Sequence, residues 1–416
     1  MSFYLQHHLY FKTPFVALNP KKSLGIIVVI PCYNEVGLLN ALSSLSQCEK
    51  PDCSVEVTTV FNSAASDSDV VVATNTKMLN DALKWSSEQV NDWINFHFID
   101  VKNISDKDAG VGLARKIGMD EAVIRFEELN KDGIIACFDA DATCQLNYLV
   151  ELEKHFKQHP ESPACSIHFE HPIEGKEFSK QNYEAIAAYE LHLRYYKNAL
   201  KFCGFPYAFH TIGSSMAVKS KAYQKQGGMN KRKAGEDFYF LQKMMVLGGF
   251  TELTTTTIFP SPRISDRVPF GTGRAMQNYL RQENPDYLTY DFQSFLDLKV
   301  LVDSLDELYN LFCHSESVEL SIDLPKSVSE YLKTIDFAGN ILKIRDNSTS
   351  FNHFKKLFFN WFNAFKVLKF MHFSRDNFYK DVWVEDAAKE LLNLLKLSSQ
   401  NEKELLTILR KIDVKE

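Results

Sequence analysis

Ile26-Ile27-Val28-Val29-Ile30-Pro31-Cys32-Tyr33-Asn34-Glu35 runs from five β-branched aliphatics into a proline and then into polar residues. A continuous β-branched run suits a strand buried on both faces, and the proline closes it. The same alternation repeats outward from this stretch. Residues 36–46 read as a helix, and Val55 to Phe61 as a second strand ending at Asn62-Ser63. Residues 75–90 read as a helix and Asn95 to Asp100 as a third strand. Gly110 to Asn130 reads as a long helix, and Ile134 to Phe138 as a fourth strand ending at Asp139-Ala140-Asp141. Strands alternating with helices predict an α/β fold with a largely parallel sheet. Ligands of such sheets sit outside the carboxyl ends of the strands. The polar groups that follow three of these strands are therefore the first candidates for a site.

Further along, residues 178–202 form a predicted helix rich in Tyr, 205–218 look extended, and 236–247 look helical. Phe259 to Gly273 reads as a loop. Beyond about residue 275 the texture changes to long helical patterns with few glycines. Ser399-Gln400-Asn401-Glu402 has the spacing of a capping box for the last helix. The expected organisation is a lead-in over 1–24, an α/β domain over 25–280 and a mainly helical region over 281–416, without internal repeats.

The chain has 416 residues, 45% hydrophobic and 24% charged, which excludes collagen-like, mostly disordered and small disulfide-stapled classes. Lys plus Arg less Asp plus Glu is 47 − 53 = −6, so the chain is not built to coat nucleic acid non-specifically. Its eight cysteines include no C-x-x-C pair, and several sit in apolar runs, as reduced structural cysteines do. The N-terminus lacks the pattern of a signal peptide, and no apolar run suits a membrane span. The expected location is cytoplasmic. From Phe351 to Phe373, aromatics recur at helical spacing with Lys355, Lys356, Lys366 and Lys369 interleaved. Such a stripe reads as domain core, with peripheral membrane contact through 351–373 as the alternative.

Two acidic motifs carry the chemistry. Asp139 and Asp141 flank a small residue at a strand end, where a carboxylate turns towards the mouth of the sheet. Mg²⁺ and Mn²⁺ take oxygen ligands and borrow others from substrate phosphates, so one or two carboxylates suffice. Glu236-Asp237 follows Gly235 and opens an apolar helix. Acids there also favour the helix dipole, but one near a leaving group could serve as a general base. His155 and His159, four apart before Pro160, read as a solvated helix end rather than a metal pair. His168 and His171 read as non-catalytic. His210, just ahead of Gly213-Ser214-Ser215, is the better acceptor-side candidate.

In their order along the chain these motifs resemble the GT-A-type glycosyltransferases, particularly the family-2 group, over roughly residues 24–275. Pro31-Cys32-Tyr33-Asn34-Glu35 is similar to that family's opening signature. Gly110 to Gly118 resembles its glycine-and-arginine helix start, Asp139-Ala140-Asp141 its metal motif, and Gly235-Glu236-Asp237 its "ED" segment. The resemblance implies a GT-A (Rossmann-like), mostly parallel sheet flanked by helices. It implies a nucleotide-diphospho-sugar donor held by Pro31, Tyr33, Asn34, Glu35, Asn62, Arg115 and Asp139. Mg²⁺ or Mn²⁺ would sit on Asp141 and Asp139. Asp237, with Glu236 beside it, would be the base of an inverting transfer to a hydroxyl acceptor: a glycan, a lipid-linked or a small molecule. His210, Gly213 and Ser214 would face the acceptor.

The chain departs from the family pattern in two places. Phe61 to Asp67 does not align cleanly with the family's second-strand loop. No histidine follows Asp237 until His314, and Arg263 and Arg267 occupy that loop instead, where arginines can neutralise a diphosphate. The signature of processive polysaccharide synthases is absent, which predicts transfer of a single sugar. Two other readings stay open. One is a catalytically silent GT-A-like binding or scaffold module. The other is a sugar-phosphate nucleotidyltransferase, which needs a glycine-rich loop after the first strand that Pro31 to Glu35 does not supply.

Overall fold

The computed structural model describes residues 2–264, 271–281, 287–314, 322–399 and 401–415. They divide into two compact units. The first comprises Met1–Ile186, Thr211–Asn278 and Asp413–Glu416, and the second Ala187–His210 and Tyr279–Ile412.

The first unit is built on one sheet. Its strands are β1 (Leu24–Cys32), β2 (Ser54–Ala64), β3 (Ile94–Ile104), β4 (Ile134–Cys137), β5 (Thr143–Cys144), β6 (Ala164–Phe169), β7 (Met216–Lys219) and β8 (Thr251–Phe259). Their order across the sheet is β3-β2-β1-β4-β7-β6-β8-β5. β3, β2, β1 and β4 pair in parallel, β7 runs antiparallel to both β4 and β6, and β6 pairs in parallel with β8. The strands other than β7 and β5 thus share one direction. The helices of this unit are α1 (Phe3–His7), α2 (Leu38–Ser46), α3 (Asp69–Ser87), α4 (Val111–Glu128), α5 (Tyr148–Gln158), the first part of α6 (Lys180–Phe202), α7 (Ser220–Lys225), α8 (Glu236–Val246) and most of α9 (Thr272–Leu280). The fold is a GT-A-like α/β fold.

Alternate β1 residues serve opposite faces, as the strand period requires. Ile26, Val28 and Ile30 pack with Leu38 and Leu42 of α2, Met78 of α3 and Leu149 of α5. On the other face, Val60 and Ile99 meet Leu113, Ala114 and Ile117 of α4. The lead-in is strapped along α4 by buried polar groups. Tyr4 Oη donates to Asp120 (2.6 Å), and the backbone N–H groups of Phe15 and Val16 donate to Glu121 (3.0 and 3.1 Å). Arg125 Nη1 donates to the Leu18 carbonyl (2.9 Å) and Nη2 to Glu56 of β2 (2.6 Å). A buried cation of this kind persists only when paired.

Several elements differ from the sequence expectation. β2 runs to Ala64, three residues beyond Phe61, because its end pairs with the long β3. α3 starts at Asp69, where the Ser68 hydroxyl caps it, rather than at 75. Of the extended stretch at 205–218, only Met216 onward is strand. His155 is not at a solvated helix end. It is buried with Nε2 2.8 Å from the Thr251 hydroxyl, and burial pushes its pKa down to about 4.

The second unit is helical. After the rest of α6 come α10 (Phe292–Asp303), α11 (Leu305–His314), α12 (Lys326–Thr334), α13 (Phe337–Asp346), α14 (Phe351–Trp361), α15 (Ala364–Asn377), α16 (Val384–Leu394) and most of α17 (Glu402–Val414). A two-stranded ribbon pairs β9 (Leu288–Thr289) with β10 (Val382–Trp383). The aromatic stripe is two helices, broken at Phe362-Asn363. The Asn363 side chain accepts from Phe365 N and Lys366 N (3.1 and 3.2 Å) and so starts α15. Phe354, Phe358, Phe362 and Phe370 are buried, which fits the core reading. Lys366 and Lys369 lie over Trp361 and Phe365 as cation–π partners. The cap of α17 is Asn401 rather than Ser399, since Asn401 Oδ1 accepts from Glu404 N (3.1 Å). No helix among the described residues is long and apolar enough to cross a membrane.

Candidate active site

Strand direction brings seven segments to one edge of the sheet. The carboxyl ends of β1, β2 and β4 lie there, as does that of β8. β7 runs the other way and therefore begins there, with Met216 opposite Cys137. The first turns of α4 and α8 complete the edge.

Arg115, in the first turn of α4, is the centre of one cluster. It is 3% exposed, which decides that its charge must be matched by protein groups. Nη2 donates to Asp139 Oδ1 (2.6 Å), and Nη1 is ion-paired with Glu236 Oε1 at the start of α8. Burial works against the guanidinium charge, and Asp139 and Glu236 outweigh it and hold the group protonated. Two glycines make room for this arrangement. A Cβ on Gly213 would lie 2.5 Å from Nη1 and Nη2 of Arg115. A Cβ on Gly112 would lie 2.3 Å from the Arg232 carbonyl oxygen. The segment passing Gly112 carries Asn230, whose Nδ2 donates to the Glu236 carbonyl (2.9 Å) and so fixes the start of α8.

Asp237 is the neighbouring residue, only partly buried, with Oδ1 accepting from Phe238 N (2.7 Å). Gly235 ahead of it has φ +68°, a left-handed turn that swings the chain into the helix. Burial pushes the Glu236 carboxyl up to about 7, Arg115 pulls it back, and Asp237 adds to the rise. Burial also raises Asp237, against the pull of Arg115.

The second cluster is formed by residues that follow β1, β4 and β8. Arg263, from the loop after β8, is ion-paired with both Asp141 Oδ2 and Glu35 Oε2. Glu35 is fixed in turn, with Oε1 accepting from Gly37 N (2.9 Å). Burial pushes Asp141 up to about 6, Arg263 pulls it back, and Asp139 and Glu35 add to the rise. At Arg263, burial opposes the charge, and Asp141 and Glu35 outweigh it.

The remaining predicted residues line the β1 and β2 ends. Pro31 pairs with Val60 within the sheet. Tyr33 Oη donates to Asp67 (2.7 Å), which also accepts from Ala64 N (2.7 Å). Asn34 adopts φ +48°, and its N–H donates to Asn75 Oδ1 (2.8 Å). Asn62 Nδ2 donates to the Gly110 carbonyl (3.0 Å), joining β2 to the start of α4. Ser214 is buried beside Gly213. His210 belongs to the second unit, and Arg267 lies outside the described residues. The sequence reading left out Asp67 and Asn230. Asp67 lies three residues past the end of β2 but six past Phe61, where the sequence pattern ends the strand, so spacing did not mark it.

Five carboxyl groups, of Asp139, Asp141, Glu35, Glu236 and Asp237, share this edge with two guanidinium groups, of Arg115 and Arg263. Hard carboxylate oxygens in such excess fit an oxygen-seeking divalent cation. Among the described residues no three His, Cys, Asp or Glu side chains converge to hold one. A cation here would take one or two carboxylates and complete its shell from phosphate and water.

No protein-family model matches the chain, and no curated protein does. Among solved structures it is similar to residues 1–349 of S. aureus TarS in complex with UDP-GlcNAc. The identity is 13% and the TM-score 0.40, over 94% of this chain and 89% of that one. It is also similar to the mannosyltransferase PcManGT from Pyrobaculum calidifontis, in complex with GDP-Man and Mn²⁺. There the identity is 14% and the TM-score 0.36, over 85% and 91%.

Proposed function

We propose that this chain is a glycosyltransferase that moves one sugar from a nucleotide-diphospho donor to a hydroxyl acceptor. The observation that carries the proposal is the convergence of Arg115, Asp139, Asp141, Glu236, Asp237 and Arg263 on the carboxyl edge of the sheet. Tyr33, Asn34, Glu35 and Asn62 flank the same edge and suit the nucleoside side of a donor. Asp141 and Asp139 would hold Mg²⁺ or Mn²⁺, which when bound supplies positive charge to the leaving diphosphate. Arg115 keeps Asp139 and Glu236 in fixed positions, so the site is organised before substrate arrives. Glu236 is committed to Arg115. Asp237 is therefore the carboxylate that takes the acceptor proton, with inversion at the anomeric carbon.

The test is release of nucleoside diphosphate from a panel of sugar nucleotides with Mn²⁺. One sugar nucleotide is expected to be consumed, and both a chelator and Asp141→Asn should suppress the release. A protein that consumes none of them, with metal present and acceptor extracts supplied, is not a transferase.

A further inference from the structure

Arg263 sets a positive charge between two carboxylates at the carboxyl edge of the sheet. Its guanidinium bridges Asp141, from the turn after β4, and Glu35, from the turn after β1. Glu35 is 3% exposed and tied to the Gly37 N–H, so it cannot follow a departing partner into solvent. The groups that act on Asp141 are Asp139 and Glu35, which oppose its charge, and Arg263, which supports it. Arg263 is thus the counter-ion of Asp141 in a partly buried, acidic setting. With Arg263 paired to it, Asp141 has its charge already matched, and a divalent cation approaching the same carboxylate meets the positive guanidinium.

We infer that Arg263 is the resident counter-ion of Asp141 and competes with the divalent cation for it. Arg263 holds Asp141 in the donor-free protein. It is released when a diphosphate enters with its cation, since phosphate oxygens offer a guanidinium an equally good bidentate partner. The second half of this exchange rests on the proposed transferase activity. The competition itself rests only on the ion pairs.

The experiment is a titration of the whole protein with Mn²⁺ alone, following free Mn²⁺ by electron paramagnetic resonance. Wild type is expected to bind weakly, and Arg263→Gln to bind about tenfold or more tightly, within the usual range of coupling between sites. Adding Asp141→Asn to Arg263→Gln is expected to remove the gain. Arg263→Lys keeps a charge but cannot bridge both carboxylates, so it should fall between wild type and Arg263→Gln. If Arg263→Gln does not fold, the comparison of Arg263→Lys with wild type decides. Equal or weaker Mn²⁺ binding in the variant, or a gain that survives Asp141→Asn, overturns the inference. A second titration adds a nucleoside diphosphate. If no nucleotide lowers free Mn²⁺ beyond its own chelation in a protein-free control, the transferase reading falls while the competition result stands.

Discussion

Replacing Asp237 with asparagine is expected to cut transfer by about 10²- to 10⁴-fold, the range lost with a general base, while nucleotide affinity barely changes. Three observations support the proposed base role of this carboxylate. It stands in the first turn of α8 at the same edge as Asp139. Burial raises its pKa, which suits a group that must accept a proton near neutral pH. Its neighbour Glu236 is already bound to Arg115. Asparagine keeps an oxygen for the Phe238 N–H, so the helix start survives and the loss reports on proton transfer. Turnover and nucleotide binding measured on the same preparation check this. Parallel loss of both would remove the base assignment.

Arg115→Met is expected to destabilise the first unit by about 3–5 kcal/mol, the cost of removing one partner from a buried ion pair. Asp139 and Glu236 would then face each other and Asp237 without a cation between them. The methionine fills much of the volume, so the loss is electrostatic rather than a cavity effect. A double variant with Glu236→Gln removes one uncompensated charge and should recover part of the loss. Denaturant unfolding of wild type, both single variants and the double variant gives the coupling. Additive effects, or a loss below about 1 kcal/mol for Arg115→Met, would show that the pairing does not hold the site together.

The fold was legible where strands were apolar throughout. Ile26 to Ile30 and Ile134 to Phe138 have no polar residue to confuse the period, and both are buried strands. β8 was not legible, because Thr254 to Thr257 form a run of four threonines without an apolar alternation. Asn363 also breaks what reads as one continuous aromatic stripe. Local pattern cannot show that Asn363 caps a new helix. In the site, the acidic motifs were visible because they end strands or begin helices. Their pairing was not. That Arg115 joins Asp139 to Glu236, and that Arg263 joins Asp141 to Glu35, depends on β7 and β8 returning to the sheet in opposite directions. The chain division is similarly hidden, because α6 begins in one unit and ends in the other.

The central claim is that this edge of the sheet binds a nucleotide donor together with a divalent cation. A thermal-shift screen of nucleoside diphosphates and sugar nucleotides, each with and without Mn²⁺, tests it without knowledge of the acceptor. Ligands that bind the native state raise its melting temperature by mass action. The account predicts a rise with one nucleotide base that requires Mn²⁺ and is lost in Asp141→Asn. No rise with any nucleotide at millimolar concentration, metal present, would contradict it and leave the GT-A-like unit as a silent module.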